Sequence, residues 1–95
     1  MKILVLGSGG HAWPIVDAVK QSDFQLQGII DIEYSGQNEK ILGYPIIGDF
    51  SVLSNFNSDE VAIIIAIGDR KKRSKYYKKV REYGFKTPSI FHPKA

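Results

Sequence analysis

A chain of 95 residues, 43% apolar, 24% charged and carrying a net charge of +3, has the make-up of one small globule with one modest core. With no cysteine and only two histidines it offers no disulfide, no thiolate metal site, no cysteine nucleophile and too few ligands for zinc. Its longest apolar run, Val61 to Ile67, and the short stretch after Lys2 fall below the lengths of a membrane span and a signal peptide, so a cytoplasmic protein is expected.

The elements follow from the periodicity. Lys2 to Leu6 is short, apolar and followed by a glycine cluster, which predicts a buried parallel strand. Ala12, Ile15, Val16 and Val19 recur at helical spacing, with Pro14 in the first turn, where its missing N–H costs nothing. Leu26 to Asp31 reads as a second strand with Asp31 at its carboxyl end. Residues 33–43 read as a loop, and Tyr44 to Ile47 as an edge strand because of Pro45. Asp49 is placed to cap a short helix running to about Asn55.

Val61 to Ile67 is the most apolar strand. Gly68 and Asp69 turn the chain, with Asp69 as N-cap of a helix to about Tyr83 and Gly84 as its left-handed C-cap. Ser89 to Phe91 closes the series as a last strand before His92 and Pro93. Strands alternate with helices, so the expected fold is α/β: a small Rossmann-like, open, mostly parallel sheet with helices on both faces, one domain over residues 1–95. The chain stops just after that last strand with no covering helix, as a domain followed by more chain or by a partner would.

The charge is uneven. Residues 70–81 carry eight Lys or Arg and no acid, while the rest carries five basic and ten acidic residues. No aromatic platform for base stacking accompanies the basic run, so it reads as a solvated helix face and no nucleic-acid partner is expected.

Gly7, Ser8, Gly9, Gly10, His11 and Ala12 fit the G-x-G-x-x-A pattern between a strand and a helix. Gly7 permits the tight turn, Gly9 lets backbone approach an anion, and Ala12 lets the helix pack close. The free N–H groups and positive helix end suit a phosphate. Asp31 lies at a distance suited to a ribose hydroxyl, and equally to capping its own loop. Gly68, Asp69 and Arg73 should face the glycine loop across a crevice. Arg73 falls on the same helical stripe as Tyr76, Tyr77, Val80 and Tyr83, which is expected to face the sheet. Lys71, Lys72, Lys75, Lys78 and Lys79 are expected on the solvated side. His11 has no catalytic partner, and Trp13 on the polar side of the first helix is a lid, an interface anchor or a partly exposed aromatic.

Three segments in this order and spacing, Gly7–Ala12, Lys40–Asp49 and Ala66–Arg73, together with Ser89–Pro93, resemble the N-terminal domain of bacterial sugar O-acyltransferases of the sialic acid O-acetyltransferase type. UDP-4-amino-sugar N-acetyltransferases share that domain. The resemblance covers essentially the whole chain. It implies a Rossmann-like domain that binds a nucleotide-sugar acceptor. It also implies a following left-handed β-helix that trimerises, binds acetyl-CoA as co-substrate and carries the catalytic histidine. On that basis no catalytic residue, metal or cofactor is expected within these 95 residues.

Carried over by position, Gly9, Gly10 and His11 match the family's loop against the nucleotide sugar. Asp31 matches its first carboxylate, and Gly68, Asp69 and Arg73 match the later loop. Three positions depart from the pattern: Ile32 replaces a second acid, Trp13 a Lys or Arg, and Pro14 a small aliphatic. The competing reading is a small NAD-binding or sensing module, which the glycine loop and Asp31 would also serve. Gly9→Val, by blocking backbone approach, is expected to abolish nucleotide-sugar binding.

Overall fold

Alternation along the central strand explains the architecture. The computed structural model describes residues 2–7, 12–34, 36 and 40–88. Its elements in chain order are β1 (Lys2–Leu6), α1 (Ala12–Lys20), β2 (Gln25–Ile30), β3 (Lys40–Ile41), β4 (Tyr44–Gly48), a 3-10 helix (Phe50–Asn55), β5 (Val61–Ile65) and α2 (Arg70–Glu82). Ile3 and Val5 of β1 point to one side of the sheet, where they meet Ala12, Val16 and Val19 of α1. Leu4 and Leu6 point to the other, where they meet Leu53, Val80 and Phe85. A strand covered on both faces must be apolar at every position, and β1 is from Ile3 onward.

The strand order is β3-β4-β2-β1-β5. β1 pairs in parallel with β2 and β5, and β2 in parallel with β4. The expected open parallel sheet with helices on both faces is the observed one. A register shift between Ile3 and Leu4 leaves Gln27 exposed at the solvent end of β2 and restores alternation, so that Ile29 and Ile30 enter opposite cores.

The segment expected to be a loop over 33–43 ends in a strand. Lys40 and Ile41 form β3, antiparallel to Tyr44 and Pro45. The turn between them places both Leu42 (φ 51°) and Gly43 (φ 88°) in the left-handed region, as a two-residue hairpin requires. The pattern fails there because a two-residue strand has no period to detect. β4 is therefore second from the edge, with β3 covering its outer side at Pro45.

The helix ends behave as their capping residues dictate. Asp49 Oδ1 accepts the Ser51 N–H at 2.9 Å. Asp69 Oδ1 accepts the N–H groups of Lys71 and Lys72 at 2.9 and 3.1 Å. Past α2, Gly84 N–H donates to the Arg81 carbonyl at 2.9 Å and Phe85 N–H to the Val80 carbonyl at 3.2 Å. That pair of bonds is a Schellman closure, and it brings Phe85 onto Val80 in the core. The last expected strand, Ser89 to Phe91, and His92 lie outside the described residues. Among the described residues no helix is long and apolar enough to cross a membrane.

Candidate functional site

The chain runs outward from β1 through β2 to β4 and then returns to β5 on the other side of β1. A parallel sheet opens a crevice beyond its carboxyl ends at such a reversal. The crevice is present, with a volume of about 430 Å³. Its floor is Gly7, at the end of β1, and its near wall is Asp31, Ile32 and Glu33, after β2. The far wall is Ala66, Ile67 and Gly68, after β5, and Lys72, Lys75 and Tyr76 on α2 complete it.

Gly7 is required by the backbone. Its φ is +122°, and a Cβ there would lie 2.5 Å from the Ala66 carbonyl oxygen. Its N–H donates to the Ile30 carbonyl at 2.7 Å, while Ala66 N–H donates to the Leu6 carbonyl at 2.8 Å. These bonds extend the pairing of β1 with its two neighbours past the strand ends and close the crevice floor.

Asp31 stands at the rim. Its backbone N–H donates to the Gly48 carbonyl at 2.9 Å, and its Oδ1 accepts the Glu33 N–H at 2.9 Å. The carboxylate therefore caps its own loop, and Asp31 is at the same time a lining residue of the crevice. Ile32, at the position of the family's second acid, packs against the core cluster under α2, and Glu33 supplies a second carboxylate one residue later. Glu33 is not among the site residues expected from the sequence, where it reads only as a loop acid two positions after Asp31.

Helix α2 is rotated relative to expectation. The Phe50 ring, from the 3-10 helix, lies 5.6 Å from that of Tyr76 and makes an edge contact with Tyr83 at 5.3 Å. Lys79 lies over Phe50 at 5.2 Å. Contact with Phe50 fixes the inner face as Tyr76 and Val80, flanked by Lys72 and Lys75. Tyr77 is 44% exposed, and Tyr83 is 51% exposed despite its contact with Phe50. Neither belongs to a core-facing stripe. Arg73 is exposed and lines a separate surface depression with Ser74, Tyr77 and Lys78. Contrary to expectation it is not among the crevice residues, because the face of α2 turned to the crevice is the one that carries Lys72, Lys75 and Tyr76. Lys72 and Lys75 are exposed, as expected, and also line the crevice.

Of the other anticipated residues, Gly68 lines the crevice, while Asp69 is occupied as the α2 cap. Trp13 is 52% exposed on α1 and is not among the crevice residues. Ser8, Gly9, Gly10 and His11 lie outside the described residues. Among the described residues no group of three or more His, Asp or Glu is placed to hold a metal.

Residues 2–80 match the family model of the PglD N-terminal domain. The chain belongs to this family. A crystal structure of PerB from Caulobacter crescentus in complex with CoA and GDP-perosamine is similar to this PglD N-terminal domain, with a TM-score of 0.82 and 26% identity over 98% of this chain. A mutant perosamine N-acetyltransferase from the same organism, also in complex with CoA and GDP-perosamine, gives 0.84 at the same identity and coverage. The acetyltransferase domain of PglB from Neisseria gonorrhoeae, in complex with acetyl coenzyme A, gives 0.73 at 25% identity over 97% of this chain. This chain spans 43% of the Caulobacter proteins and 44% of the Neisseria one. No curated protein matches the sequence.

Proposed function

We propose that this chain is the nucleotide-sugar-binding domain of an acetyl-CoA-dependent sugar N- or O-acetyltransferase of bacterial glycan synthesis. The observation that carries the reading is the likeness over 98% of the chain to an enzyme solved with both CoA and a nucleotide sugar. The open crevice at the reversal of the sheet supports it, because its volume suits a small-molecule ligand. The solved relatives are acetyltransferases, which favours this reading over a dinucleotide module.

In such an enzyme the acceptor amine or hydroxyl attacks the acetyl thioester carbon, and a general base takes its proton. The base and the acetyl-CoA site belong to a second, trimer-forming domain in this proposal. The contribution of this chain is to hold the sugar in line with the thioester, an effect worth up to about 7–11 kcal/mol for well-oriented reactants. The glycine loop from Gly7 to His11, with Trp13 beside it, is proposed as one wall of the acceptor site. Asp31, Gly68, Asp69 and Arg73 were expected to form the rest. Only Asp31 and Gly68 of those four line the crevice.

Ligand-observed NMR of the chain with a UDP-amino sugar, a GDP-amino sugar, CMP-sialic acid and NAD tests the reading. Saturation transfer to one of the nucleotide sugars is expected. Transfer to NAD alone, or to none of the four, overturns it.

A further inference from the structure

Helix α2 has a second charged face, turned away from the crevice. Arg70, Arg73, Ser74, Tyr77, Lys78 and Arg81 recur at i, i+3, i+4, i+7, i+8 and i+11, which gathers them into one stripe along the helix. All six are exposed. The stripe holds four cations and no acid. Asp69, just before it, is occupied with the helix's own N–H groups. The crevice takes the other flank, where Lys72, Lys75 and Tyr76 stand. We infer that the stripe from Arg70 to Arg81 is a docking surface for a bilayer rich in anionic phospholipid, and that it holds the domain against that bilayer with the crevice left free. Stripe and crevice lie on different flanks, so this reading and the nucleotide-sugar reading fail separately.

Charge complementarity selects an anionic surface. The helix rises about 1.5 Å per residue, so the four cations are spread over roughly 16 Å in one row. Each cation near an anionic leaflet raises affinity by about fivefold. The row needs no partner of matching shape, because a leaflet supplies many anions in one plane.

Tyr77 favours lipid over other polyanions. The Arg81 guanidinium lies 5.6 Å from the centre of its ring, and Arg81 Nη1 donates to its hydroxyl at 3.3 Å. The ring shares a shallow depression with Arg73, Ser74 and Lys78. Two cations and two hydroxyls around one recess suit a phosphate headgroup. A ring with an apolar body and a polar tip is the side chain that membrane–water interfaces select. Nucleic acid would need a succession of rings for base stacking, and the stripe has one, with Arg81 over it. With no other large apolar side chain, the stripe adsorbs to the leaflet without inserting.

The test is cosedimentation of the chain with vesicles of phosphatidylcholine alone and of phosphatidylcholine with phosphatidylglycerol. Wild type is expected to bind the anionic vesicles and not the neutral ones, and to bind less as salt rises. Two triple variants remove equal charge: Arg73→Gln/Lys78→Gln/Arg81→Gln on the stripe, and Lys72→Gln/Lys75→Gln/Lys79→Gln on the other flank. Circular dichroism melts report that both are folded. The stripe variant is expected to lose about tenfold or more in vesicle affinity, and the other about threefold or less. Tyr77→Ala, which removes no charge, is expected to lose a further factor of about two or more. No binding of wild type to anionic vesicles, or equal losses in the two triple variants, overturns the proposal. So does tighter binding to a DNA duplex or to polyglutamate than to the vesicles, because the stripe would then serve a nucleic acid or an acidic protein.

Discussion

The two faces of α2 carry the same residue types and serve different ends. The inner face has Tyr76 and two lysines, Lys72 and Lys75. The outer face has Tyr77, Arg73 and Lys78. Residue type does not separate them. Packing does, because Tyr76 lies against the Phe50 ring and the core cluster beneath α2, and Tyr77 does not. Tyr77 is left outside, where its hydroxyl accepts from Arg81 Nη1 at 3.3 Å. A cation's value to the crevice is therefore set by which flank of the helix packs on the core.

The most severe way to break this arrangement is at the crevice floor. Gly7→Val forces a branched side chain into a positive φ and against the Ala66 carbonyl. A destabilisation of about 3 kcal/mol or more is expected from strain and overpacking together. In a thermal melt that is a fall of roughly 15 °C or more for a domain of this size. A variant melting within a few degrees of wild type would show that β1 and β5 separate easily at their carboxyl ends.

Phe50→Ala against Tyr77→Ala tests the comparison itself. Removing Phe50 deletes ring contacts to both Tyr76 and Tyr83 and uncovers part of the core under α2, at an expected cost of about 2 kcal/mol. Removing the exposed Tyr77 should cost no more than about 0.5 kcal/mol. Denaturant unfolding measures both. The reverse order would place the packing face of α2 where the sequence pattern puts it.

The reason the pattern misplaces that face is physical. Around α2, the expected stripe of Arg73, Tyr76, Tyr77, Val80 and Tyr83 is half right: Val80 is buried and Tyr76 packs on the core, while Arg73, Tyr77 and Tyr83 are exposed. Helical spacing gives the angles but not the neighbour. Strands β1, β2, β4 and β5, both helices and all three caps at Asp49, Asp69 and Gly84 were legible, because they depend on local periodicity and on side chains bonding to nearby backbone. The crevice position was legible from the strand–turn–helix order. Gly7, Asp31 and Gly68 reach it because they end strands or follow them at once. Lys72, Lys75 and Glu33 were not legible, since a solvated charge and a crevice charge look alike until the opposing wall is known.

The smallest expected effect sits behind Phe50. Asp49 caps the 3-10 helix that begins with Phe50, and its Oδ1 accepts the Ser51 hydroxyl at 2.6 Å as well as the Ser51 N–H. These bonds, the hydroxyl's first, hold the Asp49 carboxyl below its ordinary value of 3.8. A depressed folded-state value means that the charged cap stabilises the fold fully above the ordinary value. That contribution is lost as pH falls through the lowered one. Asp49→Asn keeps a capping oxygen without the charge. The melting-temperature gap between wild type and this variant should therefore be constant above about pH 5 and should narrow once pH drops below the ordinary carboxylate range. Because the carboxylate is exposed, solvent screens it, and the gap is expected to be the smallest of the three differences. A gap that persists unchanged to the acid limit of the folded state would mean that the charge of Asp49 does not help seat Phe50. The rotation of α2 would then rest on ring packing alone.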